Sequence, residues 1–282
     1  MSISICGVVI LYNPNIDKVI QNISSYLDEI ELLYVIDNSI KDNSIFFVYN
    51  KKIKYIFNYE NLGISKALNI ACKLAVERKF KWILTMDQDS SFKQGDLNKM
   101  IDLSKNVSED VFIISPEYLP YQLKEIPEFE YAKWAITSGQ LLNLKFFKKL
   151  GLFNEDYFID QVDFEYSLRG RRAGFKIIKS NLIILNHELG YPQQIKIPFL
   201  KKRITTSNHN ALRKYYFIRN FLYLKQEYKK NFPQLFKEES YMLFKIILKT
   251  IFLEKDKKNK INMMLKGYFD FKRGVKGKYV EK

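Results

Sequence analysis

Cysteine is almost missing from this chain: Cys6 and Cys72 are the only two in 282 residues. A disulfide framework is therefore excluded, no spacing suits a zinc site, and a reducing cytosol is the expected setting. No uncharged run reaches about 18 residues, so no helix is expected to span a membrane. The opening M-S-I-S-I-C-G-V-V-I lacks a basic stretch and reads as a first core strand, not a signal peptide. Neither G-x-G-x-x-G nor G-x-x-x-x-G-K-[ST] occurs, which argues against a dehydrogenase and a P-loop ATPase. There is no internal repeat.

What is present is ample core material, with 47% apolar residues, and an uneven charge. Residues 1–195 hold 23 Lys and Arg against 24 Asp and Glu, a net of −1. Residues 196–282 hold 23 against 7, a net of +16. The whole excess lies in the last third, which points to an anionic partner: membrane, nucleic acid or phosphorylated substrate. The length suits one large α/β domain with an appendage. Residues 1–195 are read as the catalytic domain and 196–282 as a helical basic extension.

Strand and helix patterns alternate from the start. Ile3 to Leu11 reads as a strand, and Asn13 is placed as the cap of a helix with Pro14 in its first position. Strands follow at Leu32 to Ile36 and Ile53 to Phe57, then a helix from Ile64 to about Lys79, and a strand at Trp82 to Met86. Such alternation predicts parallel strands joined by right-handed crossovers. Three prolines between Ser115 and Tyr131 predict mostly loop. Trp134 to Leu142 reads as extended, Phe146 to Leu150 as a short helix ended by Gly151, and Phe175 to Leu185 as a strand.

Polar residues gather where the strands stop, which is where open α/β sheets bind ligands. Asp87 and Asp89, two apart after a buried strand, point the same way and repel unless a cation lies between them. Their hard oxygens suit Mg²⁺ or Mn²⁺. Asp37, closing the second strand, reads either as a ribose or base acceptor or as a turn cap. Gly139 lets a ligand or another backbone come close.

In F-I-D-Q-V-D-F-E-Y-S-L-R, Asp160 and Asp163 are placed on one helix face, with Glu165 paired to Arg169. A carboxylate here reads as a general base or, more plainly, as a helix-dipole partner. His187 reads as a third metal ligand, a diphosphate donor or an ordinary polar contact. Arg213 and Arg219 read as phosphate or acceptor contacts, or as a solvated basic face. Tyr241 to Leu253 is an apolar helix with Lys245 and Lys249 as its polar stripe, suited to a membrane interface or to the core.

Seven motifs in order give a resemblance: V-V-I-L-Y-N-P (8–14), I-D-N-S (36–39), N-L-G-I-S-K-A-L-N (61–69), D-Q-D-S (87–90), S-G (138–139), F-I-D-Q-V-D-F-E-Y-S-L-R (158–169) and H-E-L-G (187–190). The chain resembles family 2 glycosyltransferases of the GT-A fold, in particular the bacterial rhamnosyltransferase-like branch. That resemblance implies a mixed, mostly parallel, Rossmann-like sheet flanked by helices. It implies an inverting transfer from a nucleoside-diphosphate sugar, with dTDP-rhamnose the first donor. UDP-galactose, UDP-galactofuranose and UDP-N-acetylglucosamine are the alternatives.

By the same match, Tyr12, Asn13, Asp37, Asn61, Gly63 and Lys66 lie on or near the nucleotide. Asp87, Gln88 and Asp89 form the D-x-D that holds nucleotide and metal. Asp163 is the matched base; many relatives carry Glu where this chain has Val162, and Asp160 is the acid placed to stand in for it. His187 resembles the His that reaches the metal–diphosphate region in some members. Apart from the match, Ser138, Gly139, Glu165, Arg213 and Arg219 are read as acceptor or phosphate contacts. The implied partner is a lipid-linked saccharide at the anionic inner membrane surface, as in capsule and O-antigen synthesis. That reading has no nucleic-acid partner and leaves the oligomeric state open. The competing readings are a nucleotidyltransferase, and a nucleic-acid binder that uses the basic third.

Overall fold

The computed structural model describes residues 4–118, 127–187, 193–196, 203–206 and 208–281. The chain divides into two compact units: Met1–Phe158 with Val162–Glu188, and Ile159–Gln161 with Leu189–Lys282.

In chain order the first unit contains β1 (Ile5–Leu11), α1 (Ile16–Ser24), β2 (Leu32–Asp37), β3 (Ile53–Phe57), α2 (Ile64–Glu77), β4 (Trp82–Asp87), β5 (Ser90–Ser91) and α3 (Asp96–Asn106). It continues with β6 (Val111–Glu117), β7 (Phe129–Tyr131), β8 (Gln140–Asn143), α4 (Phe147–Leu150), α5 (Val162–Arg172), β9 (Lys176–Ile184) and β10 (Asn186–His187). The main sheet has the order β3-β2-β1-β4-β8-β6-β9-β7. Its first four strands are parallel, β8 runs antiparallel to both neighbours, and β6 and β9 are parallel again. The expected mixed, mostly parallel α/β sheet is therefore present.

Strands near the middle are apolar on both faces because both faces are covered. Val9, Leu11, Leu33, Val35, Leu84 and Met86 share one core cluster with Val19 and Ile23 of α1 and Leu97 and Met100 of α3. The alternate residues, among them Val8, Tyr34, Ile36 and Ile83, are also buried. Small residues of α2, Ala67, Ala71 and Ala75, are fully buried, and α2 packs on β1, β2 and β4.

Two local expectations need correction. The cap of α1 is Asn15, whose side chain accepts from the Lys18 N–H, while Asn13 has φ +45° and lies outside the helix. The stretch from Ser115 is less loop-like than its prolines imply: β6 continues through Pro116, where the pairing with β9 shifts register, and β7 forms at 129–131. A proline fits a strand at such an irregularity because no ladder donor is required of it.

The second unit contains β11 (Gln193–Lys196) paired with β12 (Arg203–Thr206), then α6 (Ala211–Tyr228), α7 (Pro233–Phe252) and α8 (Lys257–Lys272). Helix α6 starts at Asn210, whose side chain accepts from the Arg213 N–H, and buries Tyr215, Tyr216, Phe221 and Leu224. Gly267 of α8 lets the two helices approach: a Cβ there would lie 2.6 Å from the Tyr215 carbonyl oxygen. Among the described residues, no helix is long and apolar enough to cross a membrane.

Candidate active site

The sheet topology selects one crevice. From β1 the chain moves outward to β2 and β3, then returns to the other side of β1 as β4. This reversal opens a cleft at the carboxyl ends of β1 and β4, the usual ligand position in open α/β sheets. Register places the polar residues at that rim: Leu11 lies opposite Asp37, and Ile10 opposite Asp87.

Side chains lock this rim together. The Gln88 carboxamide pairs with the Tyr12 backbone, accepting from its N–H at 2.9 Å and donating to its carbonyl at 3.4 Å. Asn13 N–H donates to Ser39 Oγ at 2.8 Å. Asp37 is fully buried and accepts from Ser39 N–H, Asn43 Nδ2 and the Tyr55 hydroxyl at 2.7–2.8 Å. Its carboxylate thus organises the loop after β2, closer to the turn-cap reading than to direct nucleotide contact. Asn61 Oδ1 accepts from Gly63 N–H, and Lys66 is exposed in the first turn of α2. Gly63 has φ +81°, and a Cβ there would lie 2.6 Å from the Phe158 carbonyl oxygen.

Asp87 and Asp89 sit half-buried on the turn between β4 and β5. Ser138, fully buried, fastens this turn from beneath: its Oγ accepts from Asp87 N–H and donates to Ser90 Oγ at 2.7 Å. Gly139 N–H donates to the Thr85 carbonyl at 2.7 Å. The pair at 138–139 is therefore scaffolding for the acid turn. The close neighbours at Gly139 are the side chains of Leu185 and Pro116.

The backbone of His187 pairs with Ser90, directly beside Asp89; its imidazole and residues 188–190 lie outside what the structure describes. Among the described residues no group of three His, Cys, Asp or Glu could by itself hold a metal. The two half-buried carboxylates offer hard oxygens that suit Mg²⁺ or Mn²⁺, ions that keep positions open for phosphate.

Tyr118 links the acid turn to α5. Its hydroxyl donates to the Ser138 carbonyl at 3.0 Å. Burial pushes its pKa well up, and the negative charges of Asp163, Asp87 and Glu117 push it further. Asp163 and Asp87 therefore both act on a single phenol. Nothing in the sequence marks Tyr118, which falls in the stretch read as loop. In α5, Asp163 Oδ1 accepts from Phe164 N–H at 2.9 Å, and the Phe164 ring stacks on Trp134.

Asp160 does not share a helix face with Asp163. Helix α5 begins only at Val162, and Asp160 and Gln161 have φ +60° and +66°. Phe158, just before, has φ +59° and ψ −64°. Three non-glycine residues with positive φ strain this segment by about 1 kcal/mol or more each. Asn220, a buried residue of α6, holds it by donating to the carbonyls of Ile159 and Asp160 at 2.7 and 3.0 Å. Arg213 donates to Asp160 Oδ1 at 3.2 Å, and no donor among the described residues meets Oδ2. Burial raises the Asp160 pKa, against the pull of Arg213.

Two other candidates are structural. Glu165 is buried in the expected pair with Arg169, whose Nη1 also donates to the Leu150 and Leu152 carbonyls at 2.7 Å. Arg219 lies inside the second unit, bonded to Asn220 Oδ1, the Tyr215 hydroxyl and the Gly277 carbonyl, and not on a solvated face.

A family model described as glycosyl transferase family 2 matches residues 7–158. The chain is 26% identical to dTDP-rhamnosyl transferase RfbF of Shigella flexneri, over 98% of this chain and 97% of that protein. This is the branch that the motifs resemble. Among solved structures it is similar to GalNAc-T7, crystallised with UDP, GalNAc and Mn²⁺, with a TM-score of 0.61 and 13% identity. That match covers 97% of this chain but 58% of the other, and it speaks for the GT-A fold alone.

Proposed function

Because the chain belongs to glycosyl transferase family 2, it is a glycosyltransferase, and we propose that it transfers rhamnose from dTDP-rhamnose, with inversion, to a lipid-linked glycan. Galactose, galactofuranose or N-acetylglucosamine from a UDP donor are the alternative substrates. The setting is capsule or O-antigen synthesis at the inner face of the plasma membrane.

One observation carries the chemistry: Ser138 meets both the Asp87 N–H, at the end of β4, and the half-buried Tyr118 hydroxyl, whose pKa the negative charge of Asp163, on α5, also raises. An acid turn that can face a diphosphate therefore lies near a carboxylate that can take a proton. Tyr12, Asn13 and Gln88 shape the nucleotide side of this rim, with Asn61, Gly63 and Lys66 beyond it. Asp163 removes the proton of the acceptor hydroxyl as that oxygen bonds to the anomeric carbon. The bond from that carbon to the diphosphate breaks on the opposite face, and the leaving nucleoside diphosphate keeps the electron pair. Asp87 and Asp89, with His187 beside them in the chain pairing, would hold Mg²⁺ or Mn²⁺, which when bound neutralises charge on the diphosphate. Asp160, paired with Arg213, is the second acid tested for the proton-accepting role.

A thermal-shift panel of nucleotide sugars with and without Mn²⁺ tests this reading. Stabilisation by dTDP-rhamnose that requires the ion is the expected result. A UDP-sugar that stabilises alone would move the donor assignment. No response to any nucleotide would overturn the proposal.

A further inference from the structure

We propose that the outer faces of α7 and α8 form a docking surface for an anionic lipid bilayer. The proposal rests on the reading above only for the inner leaflet as the place of work. It begins from how the second unit spends its apolar side chains. Helix α8 turns Met264, Gly267 and Asp270 inward, and α7 buries Leu235, Phe236 and Thr250. Their other faces are not polar. On α7, Tyr241, Phe244, Leu248 and Phe252 recur at steps of three and four, so they form one stripe. They are 60%, 54%, 37% and 66% exposed. On α8, Leu265, Tyr268 and Phe269 form a second stripe, each at least 42% exposed.

Each stripe carries a lysine folded back over a tyrosine. The Lys245 ammonium lies 4.2 Å from the Tyr241 ring centre, and that of Lys272 lies 5.9 Å from the Tyr268 ring. Tyrosine rings with ammonium groups at one level, and Phe and Leu beyond them, match the layering of a headgroup boundary. Neither helix is apolar enough to cross, so the fit is to a helix lying in the interface.

Charge chooses the occupant. Residues 196–282 carry 23 basic against 7 acidic side chains, so a second copy of the same face would repel this one. Anionic headgroups would attract it, by about fivefold in binding per lysine near the surface. The aliphatic and aromatic stripes need an apolar phase, which a bilayer supplies and a nucleic acid does not.

Flotation of the full chain with vesicles tests this, using phosphatidylcholine alone or with one-third phosphatidylglycerol. Binding to the anionic vesicles, at least about tenfold weaker on the neutral ones, is expected. The double change Phe244→Ser with Phe252→Ser should weaken binding by about tenfold or more. Lys245→Glu should weaken it by several-fold and leave less dependence on salt. Both variants should keep the parent melting temperature and the parent response to nucleotide. No binding to anionic vesicles would overturn the proposal. So would stripe variants that bind as well as the parent, a dimer in sedimentation that they dissolve, or stripe-dependent binding to an RNA oligomer in place of vesicles. Vesicle binding is read without donor or acceptor, so this proposal and the transfer chemistry can fail separately.

Discussion

In the first unit the carboxylates of the acid turn stand at the edge of the sheet, whereas in the second unit charged side chains lie inside. Asp87 and Asp89 are half-buried at a strand end, on a turn fastened by Ser138 and Ser90. In the second unit Lys214, Glu254 and Lys260 are each 3% exposed or less. The Glu254 oxygens receive one ammonium each, at 2.9 Å. Thr250 and Asn208 complete the set. An acid pair at a rim lies where an outside cation can reach it, while an acid between two buried lysines is committed to the fold. Position relative to the core, more than residue type, separates a site carboxylate from a structural one.

Substitutions in the two regions should therefore fail in different ways. The largest effect is expected for Asp163→Asn, which should lower kcat by about 10²–10⁴-fold with donor affinity by calorimetry near the parent value. A near-normal kcat would remove Asp163 as the base and turn attention to Asp160→Asn. Next is Glu254→Gln, which leaves two buried cations without their counter-ion. It should cost about 3–5 kcal/mol, read as a lower melting temperature with little change in donor specificity.

The same carboxylate gives a pH prediction. Burial pushes the Glu254 pKa up, but the hydrogen bonds and charges of Lys214 and Lys260 outweigh it and hold it below the usual range. A depressed folded pKa gives stability that is present above the unfolded value, about 4.3, and lost as pH falls through the folded one. Acid titration followed by hydrogen exchange should thus open α6 and α8 as pH falls below the ordinary carboxylate range, and Glu254→Gln should flatten that loss.

Asp89→Ala should weaken Mn²⁺-dependent donor binding by about tenfold or more while leaving melting without ligand almost unchanged. Unchanged calorimetric affinity would count against its role at the metal. The smallest effect is expected for Asn220→Ala. Two partly buried carbonyls of a strained segment lose their donor, at about 1–3 kcal/mol, visible as faster exchange around 159–163.

Much of this organisation is legible in the sequence because it rests on local signals. Uncharged runs ending in Asp mark β2 and β4, and helical spacing marks α2. The 165/169 spacing gives the Glu165–Arg169 pair. The misreadings arise where long-range contacts override local preference. Asn13 looks like a cap beside Pro14, yet Asn15 takes that role while Asn13 turns to Ser39 and Ile40. Asp160 and Asp163 look like one helix face. The positive φ angles at 160 and 161, held by Asn220 some sixty residues later, are invisible to periodicity. Arg219 looks solvated by its neighbours' polarity, and its carbonyl partner at Gly277 lies far along the chain. Tyr118 has no motif at all.

The tripeptide Ile159–Gln161 belongs to the second unit although its flanking residues belong to the first. No single cut can therefore release that unit whole. A fragment starting at Leu189 would keep α6 but lack both peptide oxygens that the Asn220 amide satisfies and the carboxylate that Arg213 meets. Exchanging this region between relatives, to move one protein's acceptor preference or membrane affinity onto another, would require the three residues to travel with it.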